Sequence, residues 1–389
     1  MSKVEELLAK YNPDVVPNKL LVECSLIDYG YPFASSMFTD DSSYIPIIRI
    51  RDVKPGKAST YYMGNYSKEY IVKRGDILVG MDGEFNLEKW NDIDSLLNQR
   101  VARITEMPSK STKGYLYHIL GPIFKKIERE ISGGSVKHLS VKIINSISIP
   151  LPHIKVQEEI VKILDSFTNL IDALNEELSL RQKQFEYYRE KLLTFDDKSI
   201  YTNLGNVGEF IRGNGLQKKD FTESGFPCIH YGQIHTSYDT STTSTISYCS
   251  DSLAKKLKKA KYGDLLIATT SEDVDACCKA IAWLGEGEVA YSGDSYCFSH
   301  NENPKYMSYL FQCNLFADQK AKSATGAKVV RVSGESMSKF VLPIPSLDIQ
   351  QSIVEKLDAF ESLISSLKEE IALRQKQYEY YREKLLTFN

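Results

Sequence analysis

The sequence predicts an α+β protein: two mixed α/β domains separated by two long helices, the helices antiparallel and the halves related by a pseudo-two-fold axis. Three observations predict it. Residues 150–195 recur at 343–388, an offset of 193, with 28 of 46 positions identical and 15 of the last 16. Within each copy, apolar positions step alternately by four and three, the spacing of a coiled-coil seam. The stretches outside the copies hold short apolar runs punctuated by Gly, Asp and Pro, which read as strands and turns.

The first domain spans 1–149. Its strand candidates are 45–53 (IPIIRIRDV) and 76–81 (DILVGM), with a helical stretch at about 116–130. Residues 150–199 follow as the first long helix. Pro150 and Pro152 end the preceding strand, and the seam runs Phe167, Ile171, Leu174, Leu178, Arg181, Phe185, Tyr188 and Leu192. At 1.5 Å per residue a helix over 157–195 is about 58 Å long, and alone it could not bury its apolar stripe. The simplest partner is its own copy. The second domain spans 200–342. Its strand candidates are 226–234 and 264–269, its helical stretches lie at about 251–260 and 304–318, and the polar run 236–247 reads as a loop. Residues 343–389 repeat the helix, with the seam at Phe360, Ile364, Leu367, Ile371, Arg374, Tyr378, Tyr381 and Leu385. Arg181 and Arg374 fall on the seam, where an arginine is paired, snorkels to water, or marks an opening to a partner.

The domains also echo each other. Lys73-Arg74-Gly75-Asp76-Ile77-Leu78-Val79 matches Lys261-Tyr262-Gly263-Asp264-Leu265-Leu266-Ile267, and Gly133-Gly134-Ser135 matches Thr325-Gly326-Ala327. Equal units in one chain tend towards two-fold symmetry, which makes the helices antiparallel and sends the domains to opposite ends. Such a molecule is a ruler with two similar but non-identical grips. Double-stranded DNA, read in half-sites a turn of roughly 34–36 Å or its multiples apart, fits it.

Composition bounds the rest. The chain has 389 residues, 42% hydrophobic and 25% charged, with net charge −3. No apolar run approaches the roughly 18 residues of a membrane span, and the charged N-terminus is no secretory signal. Seven cysteines without framework spacing fit a reducing cytoplasm. Residues 1–149 carry 20 basic and 18 acidic side chains and residues 200–342 carry 15 of each, so the acidity lies in the helices. The domains are less basic than a free-standing DNA binder, which leaves part of the phosphate contact to a partner. No P-loop, no GxGxxG, no zinc spacing and no adenine-methyltransferase motif appears. Cys277-Cys278 and Cys228-x-His230-x4-His235 read as structural thiols and ordinary histidines. Asp82-Gly83-Glu84 reads as a turn after a strand.

The chain resembles the specificity subunit of type I restriction-modification enzymes. The carriers are IPLP-x4-Q-x2-IV-x2-LD at 149–165 with its echo at 342–358, the helix end RQKQFEYYREKLLTF, the KRGDILV and KYGDLLI strands, and Arg212-Gly213-Asn214-Gly215-Leu216 followed by Tyr231-Gly232-Gln233-Ile234. The resemblance covers essentially the whole chain. It implies a non-catalytic subunit without cofactors, whose two target-recognition domains each read one half of a split, asymmetric double-stranded DNA sequence. It implies helices that serve as spacer and dock two methyltransferase subunits, which methylate adenine with S-adenosylmethionine, and restriction subunits that use ATP and Mg. The first domain departs from the pattern: Tyr29-Gly30-Tyr31-Pro32-Phe33-Ala34-Ser35-Ser36 stands where an RGxGL element is expected.

Base edges are read by Arg on guanine and by Asn or Gln on adenine, while phosphate contacts position. The candidates in the second domain are Arg212, Asn214, Gln217, Lys218, Tyr231, Gln233 and Lys328. In the first they are Ser36, Arg49, Arg51, Gln99, Arg100 and Lys137. Gly133, Gly134, Gly213, Gly215 and Gly326 would let backbone approach phosphate. The run Lys255, Lys256, Lys258, Lys259 and Lys261 is a solvated helix face or a phosphate clamp. Two other function classes compete with this reading: a stand-alone DNA-modifying enzyme (methyltransferase or nuclease), and a coiled-coil interaction protein with no DNA role.

Overall fold

The computed structural model describes residues 2–131, 137–326 and 329–388. The chain divides into two units, Met1–Asn175 with Glu369–Asn389, and Glu176–Lys368. Both long helices form, Ile154–Leu192 and Leu347–Leu386. Each contributes one end to each unit.

In the first unit an antiparallel sheet takes the order Ser25–Tyr29, Val101–Glu106, Ile77–Gly80, Leu87–Lys89. A second sheet contains one parallel pair, Ile45–Ile48 beside Ser95–Leu97. Strand Asn18–Leu20 pairs with Ser148–Pro150, just before the long helix. Helix Lys113–Glu130 buries Tyr115, Leu116, Ile119, Leu120 and Phe124 against Ile77, Val79, Ala102 and Ile104 of the sheet and Val156, Ile160 and Leu164 of the long helix.

The second unit repeats the plan with other side chains. Its antiparallel core runs Gly208–Arg212, Ser295–His300, Leu265–Ala268, Lys279–Trp283, and Ser241–Thr242 adds a parallel edge. Its second sheet again holds one parallel pair, Phe226–Ile229 with Val289–Tyr291. Strand Tyr201–Asn203 pairs with Val341–Pro343 before the second long helix.

The joint between head and long helix is built alike in both units. Gln157 is fully buried: its Oε1 accepts the Thr112 N–H (2.9 Å), and its Nε2 donates to Lys110 O (2.9 Å) and Pro152 O (2.8 Å). Gln350, also fully buried, accepts the Asn303 N–H (2.9 Å) and donates to Pro345 O (2.8 Å) and Glu302 Oε2 (2.6 Å). Thr112 and Asn303 are the caps of the head helices, so one amide fixes the start of the head helix to the proline turn that starts the long one. Tyr115 Oη donates to Pro150 O (2.7 Å), and Tyr306 Oη to Pro343 O (3.0 Å), at the same place.

The seam pairs as expected within each unit. Phe167 stacks on Tyr381 (5.2 Å between ring centroids) in the first, where the start of one helix meets the end of the other. Tyr188 stacks on Phe360 (5.3 Å) in the second, where the ends are exchanged, so the segments pair antiparallel. His118, fully enclosed in the first unit, bridges Asp165 Oδ1 and Tyr378 Oη, both at 2.9 Å. Burial holds its pKa below the ordinary histidine value. The neutral ring fits these partners, with Nε2–H donating to Asp165 and Nδ1 accepting from Tyr378. In the second unit Tyr309 Oη donates to Asp358 at the corresponding place (2.8 Å). Neither seam arginine is buried. Arg181 reaches Glu177 (3.3 Å) and Gln184 (3.1 Å), and Arg374 reaches Glu370 (2.7 Å) and Gln377 (2.8 Å), one turn away on the same helix. Their stems cover the seam and their heads stay wet.

Three local expectations are corrected. The strand expected over 45–53 ends at Ile48, and Ile50–Val53 is a helical turn. The strand expected over 226–234 ends at Ile229, and Tyr231–Thr236 is helical. Both turns form for one reason: Arg49 N–H donates to Asp52 Oδ2 and His230 N–H to Gln233 Oε1 (each 2.9 Å), a cap that outweighs β-propensity. The helix expected over 251–260 is only Asp251–Ala254, and Lys259–Ala260 is a strand, so the lysine run is not a helix face.

Replacing Gln157 or Gln350 by Ala should cost about 2–4 kcal/mol, because buried backbone donors and acceptors lose their partners. Denaturant unfolding checks this, and a loss under about 0.5 kcal/mol would show that the amide does not hold the joint.

Candidate nucleic-acid interface

Each head has a turn where the parallel strand of one sheet passes into an inner strand of the other. In the first unit this turn is 98–100, between Ser95–Leu97 and Val101–Glu106. Gly30 packs onto it: its N–H donates to Val101 O (3.0 Å), and a Cβ there would overlap the Asn98 carbonyl. In the second unit the turn is 292–294. Gly213 donates to Ser295 O (2.9 Å), and a Cβ there would overlap the Ser292 carbonyl. Gly30 therefore does in the first head what Gly213 does in the second. Phe33 and Leu216, three residues on, are both buried beneath the parallel pair. The first head keeps the backbone crossing of the RGxGL element and changes its side chains.

In the second head the turn gathers three candidates. Arg212 is exposed, and its Nε donates to Gly293 O (3.2 Å). Tyr231 N–H donates to Ser292 Oγ (2.9 Å), and its ring lies 4.5 Å from that of His230. Asn214 sits beside Gly293. Its amide is occupied, donating to Lys256 O (2.9 Å) and accepting the Lys258 N–H (2.8 Å), which pins the lysine loop to this end of the head. Gln217 and Lys218 are exposed. Gln233 turns inward: besides capping at His230, it donates to Ser247 Oγ (2.6 Å). Lys328 lies outside the described residues, as do Gly133 and Gly134.

In the first head Gln99 and Arg100 lie on the turn itself and are exposed. Arg100 takes a left-handed backbone (φ 72°), and its Nε lies 3.3 Å from Asp82 Oδ2. Lys137 is half-buried, and its carbonyl accepts the Gly83 N–H (2.8 Å). Ser36 is exposed on the short turn Ser35–Met37. Arg49 is half-buried at its cap, and Arg51 is exposed, with Nη2 on Thr60 Oγ1 (3.2 Å). Sequence reasoning missed the contacts of Arg100 and His138, which meet at Asp82.

Among the described residues no group of three or more His, Cys, Asp or Glu side chains is arranged to hold a metal, and no helix is long and apolar enough to cross a membrane.

The comparisons with known proteins agree with this architecture. The family model for the type I restriction modification DNA specificity domain matches twice, over residues 27–180 and 198–373. The chain belongs to that family: it is a type I restriction-modification specificity subunit carrying two DNA-recognition domains. It is 29% identical over 353 residues to a putative type I restriction enzyme specificity subunit of Haemophilus influenzae, covering 85% of this chain and 88% of that one. It is 28% identical over 354 residues to the EcoR124I/EcoR124II specificity subunit of Escherichia coli, covering 85% of each. The fold is similar to the crystal structure of a type I restriction-modification S subunit from M. genitalium, with TM-score 0.56 and 13% identity over 95% of this chain and 96% of that one.

Two histidines of the second unit make its stability pH-dependent. Burial and the nearby Lys218 lower the pKa of His230, and burial lowers that of His300, tilted against Phe298, to about 4. Unfolded, both take a proton near pH 6.5; folded, both resist it. Stability of this unit should therefore fall as pH drops from about 6.5 towards 4, and His300→Gln should flatten the slope. Thermal unfolding across that range checks it; an equal slope in both proteins would contradict it.

Proposed function

We propose that the chain is the non-catalytic DNA-reading and scaffold subunit of a type I restriction-modification enzyme, working in the cytoplasm on a bipartite, asymmetric target. The observation that carries this reading is the turn between the two sheets of each head. One backbone crossing, Gly30 on 98–100 and Gly213 on 292–294, recurs in two heads with different side chains around it. The same approach to DNA with different readers yields two unlike half-sites. Residues 1–149 and 200–342 act as the recognition domains, and 150–199 and 343–389 act as the spacer. Arg212, Asn214, Gln217, Lys218, Tyr231, Gln233 and Lys328 serve the second domain, and Ser36, Arg49, Arg51, Gln99, Arg100 and Lys137 the first. The lysine loop held by Asn214 acts as a phosphate clamp, since it is not a helix face.

Partners carry the chemistry: two methyltransferase subunits use S-adenosylmethionine, and restriction subunits use ATP and Mg. The duplicated helices leave a second apolar stripe uncovered, with Leu180 (65% exposed) and Tyr187 (61%) in one unit and Leu373 (51%) and Tyr380 (60%) in the other. Two equivalent patches support docking of two copies of one partner. The seven cysteines are free and buried, as a reducing compartment allows.

Exchanging residues 200–342 for another head, in the chain co-expressed with its methyltransferase subunit, should change one half of the adenine-methylation motif and leave the other intact. A motif that changes in both halves or in neither would contradict the reading; methylation by the purified chain alone would favour a stand-alone enzyme. Changing Leu180, Tyr187, Leu373 and Tyr380 together to Ser should cut methyltransferase recovery in a pull-down at least tenfold while the chain stays folded. Undiminished recovery would place the docking surface elsewhere.

A further inference from the structure

Asp82, Arg100 and His138 form a cluster that the fold does not need. Asp82 sits at the end of strand Ile77–Gly80, 27% exposed at its side chain. Its Oδ2 lies 3.3 Å from Arg100 Nε, and its Oδ1 lies 2.6 Å from His138 Nδ1. Both of its neighbourhoods are held by backbone: Met81 N–H donates to Arg100 O (2.8 Å), Gly83 N–H donates to Lys137 O (2.8 Å), and Asp82 bridges His138 as an isolated β-pair. The carboxylate is thus clamped between two partners.

Exposed ion pairs of this kind add little to stability, so the cluster is poorly explained as a brace. Arg100 also occupies a left-handed backbone conformation that Gly or Asn would take more easily. Such strain gathers at functional positions. The tether uses Nε, and among the described residues no hydrogen bond engages either Nη of Arg100. The free Nη1–Nη2 edge is the one that donates two parallel bonds to O6 and N7 of guanine in the major groove.

The second head reaches a similar arrangement by another route. Its turn residue corresponding to Arg100 is Asp294, and the guanidinium comes from the end of strand Gly208–Arg212. There Arg212 Nε donates to Gly293 O (3.2 Å) on the same turn, and again no bond among the described residues engages its Nη groups. Each head therefore holds one exposed arginine by Nε: Arg100, itself on the turn 98–100, against Asp82, and Arg212 against the turn 292–294.

We propose that Asp82 is a specificity-positioning residue that, with His138 behind it, presents Arg100 to one guanine of the first head's half-site, and that the Gly293 carbonyl holds Arg212 for one guanine in the other half. This inference rests on the reading of the heads as DNA-recognition domains. It selects two readers among thirteen candidates, names their base, and assigns Asp82 and His138 a role.

The test uses the complex of the full chain with its methyltransferase subunit, bound to target duplexes in which each guanine in turn is replaced by 7-deazaguanine, which lacks N7. The wild-type complex should lose roughly ten- to hundredfold in affinity at one guanine in each half-site. Arg100→Gln should become indifferent to replacement at the first of these while keeping its response at the second, and Arg212→Gln should do the reverse. Asp82→Asn should weaken discrimination at the first guanine severalfold, and Asp82→Glu should restore part of it, which a merely structural role would not do. Thermal unfolding of each variant reads folding separately. If Arg100→Gln binds all sequences more weakly by one common factor, with a shallower salt dependence, Arg100 is a phosphate contact and the proposal is overturned. It is also overturned if Asp82→Asn leaves discrimination unchanged. A wild-type complex that prefers no sequence at all would overturn the underlying reading, and the proposal with it.

Discussion

A buried glutamine amide holds this molecule together at the place where it has to be stiff. A recognition head is useful only if its orientation on the long helix is fixed, and the junction is a proline turn that could swivel. Gln157 and Gln350 close it from inside, each spending both amide N–H donors and its carbonyl oxygen on the start of the head helix and the turn before the long helix. Neither side chain touches water. Because an unmade bond in such a place is costly, the two elements move as one body or come apart. The tyrosines on the adjacent carbonyls, Tyr115 and Tyr306, close the same joint from the other side.

From that joint outward the heads diverge while keeping one frame. The hydrogen bonds that build the frame are backbone bonds, indifferent to side chain, so Gly30 and Gly213 can make the same crossing inside unrelated sequences. What varies is what stands on the frame: Gln99 and Arg100 on one turn, Arg212, Tyr231 and a lysine loop around the other.

Much of this was legible in the sequence, and what was not has physical reasons. The long helices and their antiparallel pairing follow from heptad spacing and duplication, which are periodic and need no tertiary information. The strands around Ile77 and Leu265 follow from apolar runs between Gly and Asp. The helical turns at Ile50–Val53 and Tyr231–Thr236 were read as strand because their residues are β-formers; a single capping bond from Asp52 or Gln233 decides each. Gln157 and Gln350 stood in the repeat as identical letters, but a buried amide looks like any surface glutamine until its partners are known. The equivalence of Tyr29-Gly30-Tyr31 with Arg212-Gly213-Asn214 was hidden because one glycine is all that the crossing requires. Asp82 and His138 lie 56 residues apart, so no local pattern could have joined them.

The central proposal is that the duplicated helices, joined to the heads at the two glutamines, set the distance between two readings of DNA. The most direct measurement inserts one heptad into both helices at facing seam positions and sequences adenine methylation genome-wide in the presence of the methyltransferase subunit. Seven residues add about 10 Å to a helix, about three base pairs of duplex. The account predicts unchanged half-sites with a longer gap between them, or loss of methylation if the two added turns misalign the heads. The original gap, retained between the original half-sites, would contradict it.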